Sequence, residues 1–133
     1  MIFVDSSAIV AMLAAEPDAP ALAEKLAAER ERISAGHAIL EASMVLAAML
    51  GVSPTVADGL VTRVLREADI EIVPITEEIA HISVAAFERY GKAQKTRAKL
   101  NFGDCLSYAC AKVHRARLLF KGNDFGYTDI AKA

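Results

Sequence analysis

Only two cysteines, Cys105 and Cys110, occur in 133 residues, and they stand five apart in a stretch that scans as helix. That spacing excludes a disulfide framework and a repeated zinc-ligand pattern. Both are expected as small buried apolar residues in a reducing compartment. A basic excess is also missing: 15 Lys and Arg against 17 Asp and Glu leave a formal net charge of −2. A general nucleic-acid coat is thereby excluded, so any such contact has to be local. The apolar N-terminus has no basic region and carries Asp5 inside what would be its hydrophobic segment, so no signal peptide is expected and the cytoplasm is the default location. The longest charge-free run lies between Glu41 and Asp58 and is interrupted by Ser43, Gly51, Ser53 and Pro54, too short and broken for a membrane helix of about 20 residues.

What is present describes a compact globule. The chain is 54% hydrophobic and 24% charged, with its seven Gly and four Pro scattered, and its length suits one domain spanning residues 1–133. No internal repeat, low-complexity tract or linker divides it. Short, predominantly apolar runs recur at residues 1–4, 70–73 (Ile70, Ile72 and Val73 around Glu71) and 118–120, with a briefer one at Ile33 and Ser34. Helical patterns separate them, at residues 8–13, 21–32, 37–50, 54–65, 76–91 and 101–115. Strands without polar alternation are strands covered on both faces, so the pattern predicts a three-layer α/β/α fold around a short parallel sheet. Punctuation supports the boundaries. Gly51 stops one helix, Ser53 and Pro54 cap and open the next with Val56, Leu60, Val64 and Leu65 as its apolar stripe, and Thr76 with Glu77 and Glu78 opens another.

In open α/β folds ligands bind beyond the carboxyl ends of the strands. Asp5 follows the first apolar run, and Asp124 follows the last after a turn through Gly122 and Asn123. Asp104 opens the helix that leads into that last run. Each has a structural alternative: Asp5 as a helix cap, Asp104 as half of a capping box with Asn101, Asp124 as a turn residue. Glu41 is harder to explain away, because it interrupts an otherwise apolar helix and one turn from it lie His37, Ala38, Met44 and Val45. Carboxylates gathered in one place repel each other unless a cation neutralises them. Oxygen-only ligands select a hard ion, Mg²⁺ or Mn²⁺, and such a site suits phosphodiester cleavage by a metal-activated water. Ser6, Ser7 and Asn123 are polar neighbours able to orient that water, and His37, His81 and His114 scan as structural or solvent-facing. The basic segment Lys92, Lys95, Arg97 and Lys99 precedes Asp104, either as a phosphate contact or as a solvated loop.

The opening Ile-Phe-Val-Asp-Ser-Ser-Ala, the helical Glu41, the run Leu-Asn-Phe-Gly-Asp-Cys-Leu-Ser-Tyr-Ala around Asp104 and the late Leu-Leu-Phe-Lys-Gly-Asn-Asp-Phe around Asp124 resemble PIN-domain proteins, specifically the VapC ribonuclease toxins of type II toxin-antitoxin modules. The resemblance covers essentially the whole chain. It implies a metal-dependent endoribonuclease, usually dimeric, held inactive by a cognate antitoxin whose tail occupies the active-site groove. By position, Asp5, Glu41, Asp104 and Asp124 match the family's acidic quartet, which implies that they bind the metal and carry catalysis, and Ser7 matches its common hydroxyl position. Two other classes share part of the pattern. A phosphoacceptor receiver domain also gathers acids and Mg²⁺ at the ends of parallel strands, but it wants paired acids after the first strand, where this chain has Ser6 and Ser7. A degenerate PIN domain would bind RNA or protein without cutting, yet all four acids are in place.

Overall fold

The computed structural model describes residues 1–133. Four short strands, β1 (Ile2–Val4), β2 (Arg32–Ala35), β3 (Glu71–Val73) and β4 (Arg117–Leu119), form one parallel sheet in the order β3-β2-β1-β4. Six helices join them: α1 (Ser6–Leu13), α2 (Ala19–Ala27), α3 (Gly36–Leu50), α4 (Pro54–Glu67), α5 (Glu77–Tyr90) and α6 (Phe102–Val113), with a 3₁₀ turn at Asp124–Tyr127. Side chains alternate across the central strand. Phe3 enters a core with Tyr90, Tyr108 and Leu118 under α5 and α6, while Ile2 and Val4 enter a second core with Ile9, Leu46, Val61 and Leu119 under α1 to α4. The three-layer α/β/α arrangement predicted from apolar runs is therefore the observed one, and β1 is fully buried.

Register fixes where the functional edge lies. Phe3 pairs with Ile33 on one side and with Leu118 on the other, and Val4 pairs with Leu119. The parallel strands β1 and β4 thus end level, and Asp5 follows β1 with its backbone N–H donating to Leu119 O at 3.0 Å. Ser34 ties β2 to the same edge by donating its hydroxyl to Val4 O at 2.8 Å.

Several boundaries differ from expectation, each for a physical reason. The second helix ends at Ala27, not near Arg32, because Arg32 starts β2 and its guanidinium donates to the carbonyls of Glu29 and Ala68. Along α4 the core-facing line is Ala57, Val61 and Leu65, while Val56 is 53% exposed and Leu60 and Val64 only flank the core. The small Ala57 permits close packing of α4 on α3, which rotates the helix away from the stripe read from larger residues. The caps stand as expected: Gly51 closes α3 at φ +65°, and the hydroxyls of Ser53 and Thr76 accept from Val56 N and Ile79 N. No single helix is long and apolar enough to cross a membrane.

Candidate active site

A cavity of about 440 Å³ opens at the carboxyl end of the sheet, and Asp5, Glu41, Asp104 and Asp124 all border it together with Ser7, Asn101 and Lys121. Chain positions more than 100 residues apart meet there because β1 and β4 are neighbours and α3 and α6 converge on the same edge. No three acidic, His or Cys side chains stand at metal-coordinating spacing, so the acids ring a space and do not form a closed cluster. Asn123 is exposed, makes no capping bond and is not among the lining residues, although Gly122 and Asp124 on either side of it are.

Asp5 is the anchor. It is 3% exposed and caps α1, with Oδ2 accepting from the backbone N–H and the hydroxyl of Ser7 at 3.0 and 2.6 Å. Its Oδ1 accepts from the hydroxyl of Ser107 on α6 at 2.7 Å. Ser107 Oγ lies 2.8 Å from His37 Nε2. Since the single Ser107 proton is committed to Asp5, the imidazole must be the donor in that second bond, which places its proton on Nε2. Its other nitrogen, Nδ1, is buried without a partner. Burial holds His37 below its ordinary pKa, against the opposing pull of Asp5, so a neutral ring is favoured. The cap expected at Asp5 is thus real, and it coexists with the cavity-lining position. His81, in contrast, pairs with Glu77 on a solvated face.

Asp104 also combines two jobs. Its Oδ2 accepts from Asn101 N at 3.0 Å while Asn101 Oδ1 accepts from Asp104 N at 2.9 Å, completing the capping box at the start of α6. Burial, followed by the charges of Asp5 and Asp124, pushes Asp104 up to about 6 against the lowering effects of the Asn101 bond and of Lys92. Glu41 rises further, to about 7, from burial and then from the charges of Asp5 and Asp104. Its Oε1 is buried with no hydrogen-bond partner. Beneath that carboxylate lies Gly103, where any Cβ would overlap Glu41.

None of the four acids takes part in an ion pair. Lys121, which borders the cavity, is engaged by Glu16 and Asp18, and its backbone N–H donates to Ser7 Oγ at 3.0 Å. An arrangement of carboxylates without ion-pair partners, the raised pKa values of Glu41 and Asp104 and one orphaned buried oxygen suits a hard divalent cation. Sequence reasoning missed Ser107, His37 and Gly103 as parts of this site. The only signal was the Gly-Asp pair in the Asn-Phe-Gly-Asp run, since nothing local links residue 107 to residue 5.

A parallel sheet with acids ringing its carboxyl edge is the arrangement of a PIN domain, and the PIN domain family model matches residues 2–131. The similar proteins narrow this. VapC ribonuclease Mb0625 of Mycobacterium bovis is 43% identical over 131 residues, 98% of this chain and 96% of that protein. Ribonuclease VapC30 of Mycobacterium tuberculosis is 39% identical over 128 residues, 96% and 95% of the two chains. The chain therefore belongs to the PIN domain family, in the group that holds the VapC ribonucleases. Among solved structures, Mycobacterium tuberculosis VapC20, described as a sarcin-ricin loop cleaving toxin, superposes with a TM-score of 0.76 at 15% identity, covering 100% of this chain and 98% of that one. A toxin-antitoxin complex from Klebsiella pneumoniae gives 0.68 at 18% identity, covering 97% and 93%. These two likenesses speak to fold.

Proposed function

We propose that this protein is a Mg²⁺- or Mn²⁺-dependent endoribonuclease, the toxin of a type II toxin-antitoxin pair, acting through Asp5, Glu41, Asp104 and Asp124. The observation that carries the proposal is the unpaired Glu41 carboxylate, held against Gly103 beside Asp5 and Asp104 with no protein cation to neutralise it. A buried carboxylate so placed is costly unless a metal is its partner. The relatives named as ribonucleases at up to 43% identity support the reaction class.

A hard dication bound here would polarise the phosphodiester and lower the pKa of a water. The chain's own groups prepare that chemistry. Ser7 takes both lone pairs of Asp5 Oδ2 and Ser107 one of Oδ1, which holds the carboxylate in place and leaves one lone pair, on Oδ1, for a cation. Asn101 does the same for one oxygen of Asp104. Glu41 and the exposed Asp124 would supply the remaining carboxylate oxygens. Ser7 within the cavity, and Asn123 beside it, are proposed to orient substrate.

Two exposed apolar faces are assigned to assembly with a cognate antitoxin and with a second copy: Leu40, Met44 and Met49 on α3, and Val84, Phe87 and Phe102 across α5 and α6. The similarity to a toxin-antitoxin complex supports the first partner. A cytoplasmic location accords with the two buried free thiols. Incubation of purified protein with labelled RNA in Mg²⁺, Mn²⁺ or EDTA tests the reaction. Cleavage that needs metal and fails in Asp5→Asn and Asp104→Asn supports it; RNA binding without cleavage under any metal would instead favour a degenerate PIN domain.

A further inference from the structure

The chain is acidic overall, yet four of its 15 Lys and Arg, Lys92, Lys95, Arg97 and Lys99, fall within eight residues, with no acid between Glu88 and Asp104. They occupy the connection from α5 to α6. All four are exposed, and none makes an ion pair or a side-chain hydrogen bond. By contrast Lys112, Arg117 and Lys121 are each matched to a carboxylate.

The segment is tethered at its base. Lys92 N donates to Leu100 O at 2.9 Å and Leu100 N to Tyr90 O at 2.8 Å, while Ala98 and Leu100 are fully buried. Lys99 is held at φ +51°, a left-handed conformation uncommon for a lysine, which turns the chain out of the loop and into the cap of α6. The next residue but one, Asn101, borders the carboxylate cavity, and the charge of Lys92 is felt at Asp104.

We propose that this tethered loop is the RNA-backbone rail of the site, its free cations taking successive phosphates and laying the strand across the acid-lined cavity. The proposal rests on the ribonuclease function given above and adds how an acidic site in an acidic protein recruits a polyanion. An acid-lined bowl repels RNA, so local positive charge beside it has to supply the encounter. No aromatic residue stands within the segment, so it reads backbone and not base identity.

The test uses the triple variant Lys95→Gln, Arg97→Gln, Lys99→Asn in the full chain. Lys92 stays, because its charge acts on Asp104, and Asn tolerates the left-handed position. Binding of a labelled single-stranded RNA is measured in EDTA across a salt series, and cleavage in Mn²⁺ is measured alongside. The expected result is about tenfold weaker binding at low salt and a log–log salt slope smaller by about 2, at about 0.7 per lost phosphate contact. The KM for cleavage rises with kcat nearly unchanged, and the Mn²⁺ affinity and melting temperature stay as in the wild type. Equal RNA affinity and slope in the two proteins overturns the proposal. So does retained RNA binding with lost binding of polyglutamate, which would give the loop to an acidic protein segment. A wild type that binds RNA with this slope but never cuts it sinks the nuclease assignment and leaves the rail standing.

Discussion

The carboxylate of Glu41 on α3 rests on the bare Cα of Gly103 on α6, so closely that a methyl group at residue 103 would occupy the same space. Two helices from distant parts of the chain are thereby docked by a contact that only glycine allows, one residue before Asp104. Gly103 is the second residue of α6, where Ala would ordinarily add up to about 1 kcal/mol of stability. Here overpacking of about 1–3 kcal/mol opposes that gain. Gly103→Ala is expected to be neutral to moderately destabilising, yet to weaken Mn²⁺ binding by at least roughly tenfold, because Glu41 must leave. Glu41→Ala combined with Gly103→Ala should recover a melting temperature at or above that of Gly103→Ala alone, read by thermal denaturation as a double-mutant cycle.

The raised pKa of Glu41 makes stability depend on pH in a defined direction. Its folded value of about 7 exceeds the ordinary 4.5, so the folded state binds more protons between those limits. The contribution is therefore full below about 4.5 and is lost as pH rises through 7. Glu41→Gln removes this dependence. Without divalent metal, the variant should melt higher than the wild type at pH 8, by roughly 3–5 °C for about 1 kcal/mol after solvent screening, with the gap closing below about pH 4.5. Millimolar Mn²⁺ should stabilise the wild type more than the variant at pH 8. A gap independent of pH would contradict the account.

Ser107 joins His37 to Asp5 from inside the core. Ser107→Ala strands the His37 Nε2–H and removes one of the bonds orienting Asp5, for a loss of about 1–3 kcal/mol. Metal affinity should fall by about 10–100-fold, as for other partners that orient a ligand. Ser107→Thr, which keeps the hydroxyl, should restore affinity if the added methyl is accommodated. Calorimetric Mn²⁺ titration of the three proteins separates orientation of Asp5 from a general loosening of the fold.

Asp124 is exposed on the 3₁₀ turn, whereas Asp5 is buried and Asp104 is half-buried. Asp124→Asn is therefore expected to cost about 10–100-fold in cleavage, less than Asp5→Asn or Asp104→Asn. Equal losses at all three positions would place Asp124 on the same footing as the buried pair.

How much of this was legible beforehand depended on the range of each interaction. Asp5 and Asp104 announced themselves because strand ends and caps are written in adjacent residues: an apolar run before Asp5, Asn101 three before Asp104. Asp5 and Asp124 could be grouped because parallel strands all end on one edge, whereas Glu41, on a helix, joined them only through the family resemblance. The phase of α4 is not written locally: large Val56 and Leu60 suggest one stripe while the buried line runs through small Ala57, and packing volume is not a local property. His37, Ser107 and Gly103 stayed hidden for the same reason. Their contacts span from 62 to 102 residues and depend on how α3 crosses α6.

The central claim is that these carboxylates share a catalytic dication. The direct measurement is Mn²⁺ binding by electron paramagnetic resonance on the wild type, Asp5→Asn and Asp104→Asn, with RNA cleavage followed on the same samples. Binding and cleavage are predicted to fall together, each by more than about tenfold in both variants, and to vanish in EDTA. Cleavage that persists in EDTA, or Mn²⁺ binding unchanged by either substitution, would contradict it.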